Sequence, residues 1–257
     1  MKPIAKNNKI KIRVLIGILV LSLGAMAAFG IGLWLDMSST RQGQEFFAAM
    51  HVDVVQSPRE TSLTPTLFVP ALDFDELREM APNLVGWLQS QGTVINYPIV
   101  QGMDNDFYLD HLPNGVRNSM GSIFLDYRNH ADFSSSTIFI YGHNMASGDK
   151  FSSLRHYTDQ QFFEQHSNML IFTPERNFEI VIFAGYDIDS SVEVPPMGFA
   201  NQADFESYIA DLRNRSFINS DIEVNYGDQL VFLCTCIFTN QSPWRRIIVG
   251  KLVELDW

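Results

Sequence analysis

The chain opens on one uninterrupted apolar run and then breaks into short apolar bursts. Residues 14–35, VLIGILVLSLGAMAAFGIGLWL, carry no charge, and about 20 such residues span a bilayer core as a helix. Residues 36–70 turn polar, with a helical patch at GQEFFAAM and then the Pro-, Ser- and Thr-rich QSPRETSLTPTLFVP. They read as a stalk and linker. DFDELREMAPNLVGWLQ gives one short helix, ended by Pro82. Beyond it come TVINYPIVQ, GSIFLDYR, STIFIYGHN, NMLIFTPE, NFEIVIFAGYDI, DQLVFLCTC and RRIIVGKLVEL. Each is rich in β-branched and aromatic residues and is bounded by turn formers, which predicts strands. Ahead of DQLVFLCTC, Phe205, Tyr208, Ile209 and Leu212 recur at helical spacing. Seven or eight short strands with few helices predict a mostly β fold, a closed barrel with one helix inserted before the cysteine-bearing strand.

Charge then orients the chain. Lys2, Lys6, Lys9, Lys11 and Arg13 precede the apolar run with no acidic residue among them. That bias keeps the N-terminus cytoplasmic and puts the rest outside the cell. Ala25-Met26-Ala27 has the form of a signal-peptidase site, but the apolar run continues to Leu35. It is longer than the ~7–15 residues of a cleaved leader, so an uncleaved anchor is expected. The expected division is a cytoplasmic basic segment (1–13), a transmembrane anchor (14–35), an extracellular stalk (36–70) and a folded domain (71–257). Outside the membrane, 13 Lys and Arg face all 29 Asp and Glu, a net of −16. So acidic a domain is a poor partner for nucleic acid, whose phosphates call for basic patches.

Cysteine usage points to chemistry. Exported proteins normally pair their cysteines, yet the only two here, Cys234 and Cys236, sit two apart on one expected strand. Extended Cα atoms at that spacing lie roughly 6.6 Å apart, at the limit of disulfide geometry. The flanking residues offer no His or second Cys pair, so a metal site is not expected either. Cys236 falls where the strand stops and the polar turn TNQSPW begins, a position that exposes a nucleophile at the barrel rim. Cys234 lies one pleat back and reads as a small buried hydrophobe.

A thiol nucleophile needs a base. Of six histidines, His143 stands out because the strand STIFIY runs directly into Gly142-His143-Asn144, which places its imidazole on a loop at a strand end; His111 and His130, also in loops, compete. Arg245 and Arg246 open the last strand, and a guanidinium offers a planar fork of donors to a carbonyl oxygen that becomes negative. Alternation lets only one of the two face a site.

Together these segments resemble one family. FLCTC is similar to the Thr-Leu-x-Thr-Cys signature of sortases, with Phe232 where the first Thr usually stands. IYGHN resembles the segment holding the sortase histidine, and RRIIVGKL the strand that begins with the sortase arginine. NLVGWLQSQGTVINYPIVQGMDNDFYLDH and GSIFLDYRN resemble class B sortases, and the likeness runs from residue 72 to the C-terminus. It implies a sortase-type barrel and a cysteine transpeptidase of the Gram-positive cell surface, acting without a cofactor. Such an enzyme cuts a C-terminal sorting signal of a secreted protein and joins the new carboxyl to a cell-wall precursor amine. The resemblance makes Cys236 the nucleophile and His143 the acid and base. Arg245 is the expected arginine on a gapless register, with Arg246 the second candidate. Asn105, Leu109 and Thr235 are the expected substrate-binding residues. A plain cysteine endopeptidase, a pilin-polymerising sortase and a non-enzymatic surface barrel are the alternatives.

Overall fold

The computed structural model describes residues 5–50, 72–237 and 242–255, with side chains of the first helix from residue 15 onward. Its strands are β1 (Leu84–Gln89), β2 (Asn96–Gln101), β3 (Ile123–Leu125), β4 (Thr137–Tyr141), β5 (Asn168–Phe172), β6 (Asn177–Asp189), β7 (Gln229–Cys236) and β8 (Trp244–Leu255). They close into one barrel in the order β1-β2-β3-β4-β7-β8-β6-β5. The helices are α1 (Ala5–Ala49), α2 (Phe74–Met80), α3 (Gln160–Gln165) and α4 (Gln202–Arg215). The expected fold class holds, with α4 as the helix ahead of the cysteine strand. The eighth strand is β1, which the pattern ran together with the short helix before it. Pro82 separates the two.

Two pairings, β2 with β3 and β4 with β7, are parallel. A parallel neighbour cannot follow a tight hairpin, so each needs a long crossover. The first, residues 102–122, must run back to the start of β3, beside the end of β4, and contains a 3₁₀ turn at Phe107–Leu109. The second takes in α3, β5, β6 and α4. In the β4–β7 pair Tyr141 stands across from Cys234, so β4 and β7 end at the same rim. Antiparallel β8 begins there, with Arg245 across from Cys236. Topology alone thus gathers the chain segments around residues 109, 143, 236 and 245.

The barrel interior is filled by Leu88, Ile99, Ile123, Ile140, Ile180, Leu233 and Ile248. On the outside, α4 packs Phe205, Ile209 and Leu212 against Phe139, Tyr186, Phe232 and Val249. Residues 230–235 of β7 are therefore buried on both faces, which is why LVFLC reads as an unbroken apolar run rather than an alternation. Phe232 is fully buried, its ring stacked on Phe139 at 4.8 Å. The departure from the Thr of the sortase signature thus fills a core position beneath α4.

One helix among the described residues, α1, is long and apolar enough to cross a membrane. It does not end with the apolar run. It continues to Ala49, and Phe47 and Met50 are buried against the barrel and α2. The first part of the expected stalk is thus helix docked on the domain, and residues 51–70 of that stalk lie outside the described residues.

Candidate active site

At the shared rim lies a cavity of about 670 Å³, lined by Asn105, Leu109, His143, Thr235, Cys236 and Arg245. Every site residue expected from the sequence borders it except Arg246. Phe124, Phe139, Tyr141, Ile188 and Ile247 supply apolar walls, and Glu193, Val194 and Pro195 flank it from the segment between β6 and α4.

Cys236 ends β7, unpaired and half-buried. Cys234 also borders the cavity but is nearly inaccessible. Burial pushes its thiol far up, and the Asp126 carboxylate adds to the shift, so it stays protonated. His143 is buried at 7% exposure. Its Nε2 lies 2.6 Å from the Leu109 carbonyl oxygen, and because a carbonyl only accepts, Nε2 carries a hydrogen. Three contacts fix the loop that bears it. Thr235 Oγ1 donates to Gly142 O at 2.7 Å, Gly142 N donates to Cys234 O at 3.2 Å, and Asn144 Nδ2 donates to Ile237 O at 3.3 Å. Gly142 has no room for a side chain, since a Cβ there would lie 2.8 Å from the Phe151 ring.

The two arginines part company by alternation. Arg245 borders the cavity and donates to the backbone carbonyls of Ser242 and Trp244. Arg246 turns away, holding both Asp187 carboxylate oxygens at 2.8 Å and the Arg155 carbonyl at 2.9 Å. The β7–β8 register runs unbroken from Gln229–Leu252 to Cys236–Arg245. On the other side of β8, where it pairs with β6, the register shifts between Ile182 and Ala184, on β6.

Sequence reasoning missed the Asp126 hub behind the groove. This fully buried carboxylate accepts from Arg128 Nε at 2.9 Å and Arg128 Nη2 at 2.6 Å, and from Arg128 N, Asn105 Nδ2 and Tyr141 Oη at 2.9 Å each. Burial works to raise its pKa, but these donors outweigh it and hold it at about 2. Asn105, its Oδ1 also accepting from Tyr127 N, therefore shapes the wall with an amide already engaged. The signal in the sequence was an acid closing an apolar strand with Arg two residues on. Of the competing histidines, His111 stacks on Phe107 at 4.0 Å beside Asp110, and neither it nor His130 borders the cavity. Among the described residues no three His, Cys, Asp or Glu side chains are grouped to hold a metal.

A closed eight-stranded barrel that brings a thiol, an imidazole and a guanidinium onto one rim groove defines a class, the cysteine transpeptidases of the sortase type. No protein-family model matches the chain. It is 37% identical to sortase B of Listeria monocytogenes over 70% of its own length and 74% of that protein's. It is 28% identical to sortase B of Staphylococcus aureus over 71% and 75%. A solved Staphylococcus aureus sortase B–substrate complex superposes with a TM-score of 0.66 at 27% identity, covering 71% of this chain and 85% of that one. The chain belongs to the sortase B family.

Proposed function

We propose that the protein is a membrane-anchored transpeptidase in which Cys236 is the nucleophile, His143 the acid and base, and Arg245 the clamp on the reacting carbonyl. The observation that carries this reading is the Cys236–Arg245 rung, which opens onto the groove that His143 borders. As thiolate, Cys236 adds to the scissile carbonyl carbon of a sorting signal near the C-terminus of a secreted protein, and the π electrons move to oxygen. The Arg245 fork holds that oxygen as it becomes negative. When the adduct collapses the C–N bond breaks, the departing amine takes the imidazolium proton, and a thioester remains on Cys236. An amine of the cell-wall precursor then attacks the thioester and gives its proton back to His143. The C–S bond breaks, a new amide forms and the thiolate returns.

Since Nε2 is held on the Leu109 carbonyl, Nδ1 is the nitrogen that gains and loses the proton. Leu109, with 43% of its surface exposed, offers the substrate an apolar contact, while Asn105 and Thr235 bound its path. Support for an amine acceptor comes from a sortase B solved in complex with triglycine, and for a peptide donor from the substrate complex above. Residues 14–35 cross the membrane with residues 1–13 inside, which places the domain at 71–257 on the outer face. Incubating the protein with a sorting-signal peptide, with and without an amine, tests this. An amide product formed in proportion to the amine is expected. The same free acid at the same rate in both tubes would make the enzyme an endopeptidase instead.

A further inference from the structure

On another side of the barrel a lysine is buried against aromatic rings. Lys150 is fully buried, and its Nζ has no hydrogen-bond partner among the described residues. The head group lies 3.0 Å from the centroid of the Phe47 ring and 4.3 Å from that of Tyr97. Phe47 comes from the last turns of α1, about a hundred residues away in sequence. Burial pulls the amine well below the ordinary lysine range and the neighbouring Asp149 opposes that. In either protonation state its N–H bonds point at ring faces among the described residues.

The surroundings make this contact more than local packing. Around it the end of α1 is fastened to the barrel. Asn118 Nδ2 donates to Ser39 O at 2.7 Å, Gln44 Nε2 donates to Asp149 Oδ2 at 3.0 Å, and Met120 fills the space beside Gly43. On the other side, Lys150 is one rung from the proposed base. Asn144 and Lys150 form an isolated antiparallel bridge, and Phe151 N donates to His143 O at 3.0 Å. Lys150 itself sits at φ 58 and ψ −126, a positive-φ backbone that a non-glycine residue keeps only when its surroundings hold it there.

We propose that Phe47 and Lys150 form a latch through which the end of the anchor helix holds the His143 loop in place, so that this part of α1 positions the catalytic base. The role rests on the proposed function of His143, while the contact itself does not. The full-length chain in detergent micelles, carrying Phe47→Leu, Phe47→Tyr, Lys150→Met or the Phe47→Leu/Lys150→Met pair, tests it in two ways. Turnover is measured as kcat and KM, and Lys150 labelling by an amine-acylating reagent is mapped by mass spectrometry. Leu keeps the apolar bulk but removes the ring face. Tyr keeps the face, and its hydroxyl has room in the adjoining cavity of about 320 Å³.

Phe47→Leu is expected to lower kcat about tenfold with KM little changed, and to raise Lys150 labelling by a similar factor. Phe47→Tyr should match the parent in both. In the Lys150→Met background the Leu change should lose most of its effect on kcat, since contacting residues do not act independently. Unchanged kcat with rising labelling would overturn the positioning role, and unchanged labelling would overturn the latch. An active His143→Ala variant would instead remove the assumed base and leave the labelling result standing.

Discussion

On the β7–β8 ladder Cys236 stands across from Arg245, and one rung inward Thr235 stands across from Arg246. The chemical groups are nearly the same, a small nucleophilic side chain facing a guanidinium. The outer rung opens onto the groove and leaves a half-buried thiol beside an arginine that, among the described residues, donates to nearby backbone carbonyls. On the inner rung both side chains are committed: Thr235 to the Gly142 carbonyl, Arg246 to Asp187 and the Arg155 carbonyl. Reactivity here is a matter of what a rung faces, and one step along the ladder exchanges chemistry for scaffolding.

That contrast is most exposed to failure at the thiol. Cys236→Ala should abolish cleavage with the fold intact, while Cys234→Ser should keep substantial activity. Peptide cleavage and circular dichroism on both variants check it, and a dead Cys234 variant beside an active Cys236 one would reverse the two positions. His143→Ala should lose roughly 10²–10⁴-fold in kcat, with His111→Ala and His130→Ala mild in the same assay.

The arginines probe the two rungs more finely. Arg245→Ala should lower kcat about 10²–10³-fold, and Arg245→Lys should recover little, because a point charge lacks the planar fork. Arg246→Ala should leave turnover nearly unchanged and lower unfolding stability by roughly 1–2 kcal/mol through the unpaired Asp187. Thermal melts alongside kinetics separate these outcomes, and the reverse pattern would put Arg246 in the site. The smallest effect is expected from deleting residues 1–35, which leaves both rungs and Phe47 in place. The product should be soluble and cleave peptide at close to the full-length rate, measured on matched preparations.

Much of this was legible because strands and turns write a local code. The apolar bursts between turn formers mark seven of the eight strands, and Phe205, Ile209 and Leu212 mark α4. Cys236 and His143 stand out because the first ends an apolar strand and the second follows one after a single glycine. Choosing Arg245 over Arg246 required a register, which a family pattern suggests and the ladder itself shows. What stayed hidden depends on partners far apart in sequence. Asp126 reads as one acid among many until Asn105, Arg128 and Tyr141 surround it. Lys150 reads as a solvated loop residue, since lysines are rarely buried, and its cage comes from a helix taken for a stalk. The helical spacing of Phe46, Phe47 and Met50 was visible, but nothing in the sequence says what that face packs against.

Everything proposed for the site turns on Cys236 carrying the acyl group between donor and acceptor. Mixing the protein with a sorting-signal peptide in the absence of amine, quenching in acid and measuring intact and peptide-mapped masses puts this to the test. The expected result is an adduct with the mass of the N-terminal peptide fragment, located on Cys236 and discharged when an amine is added before the quench. An adduct on Cys234, or amide product accumulating with no adduct on Cys236, would contradict it.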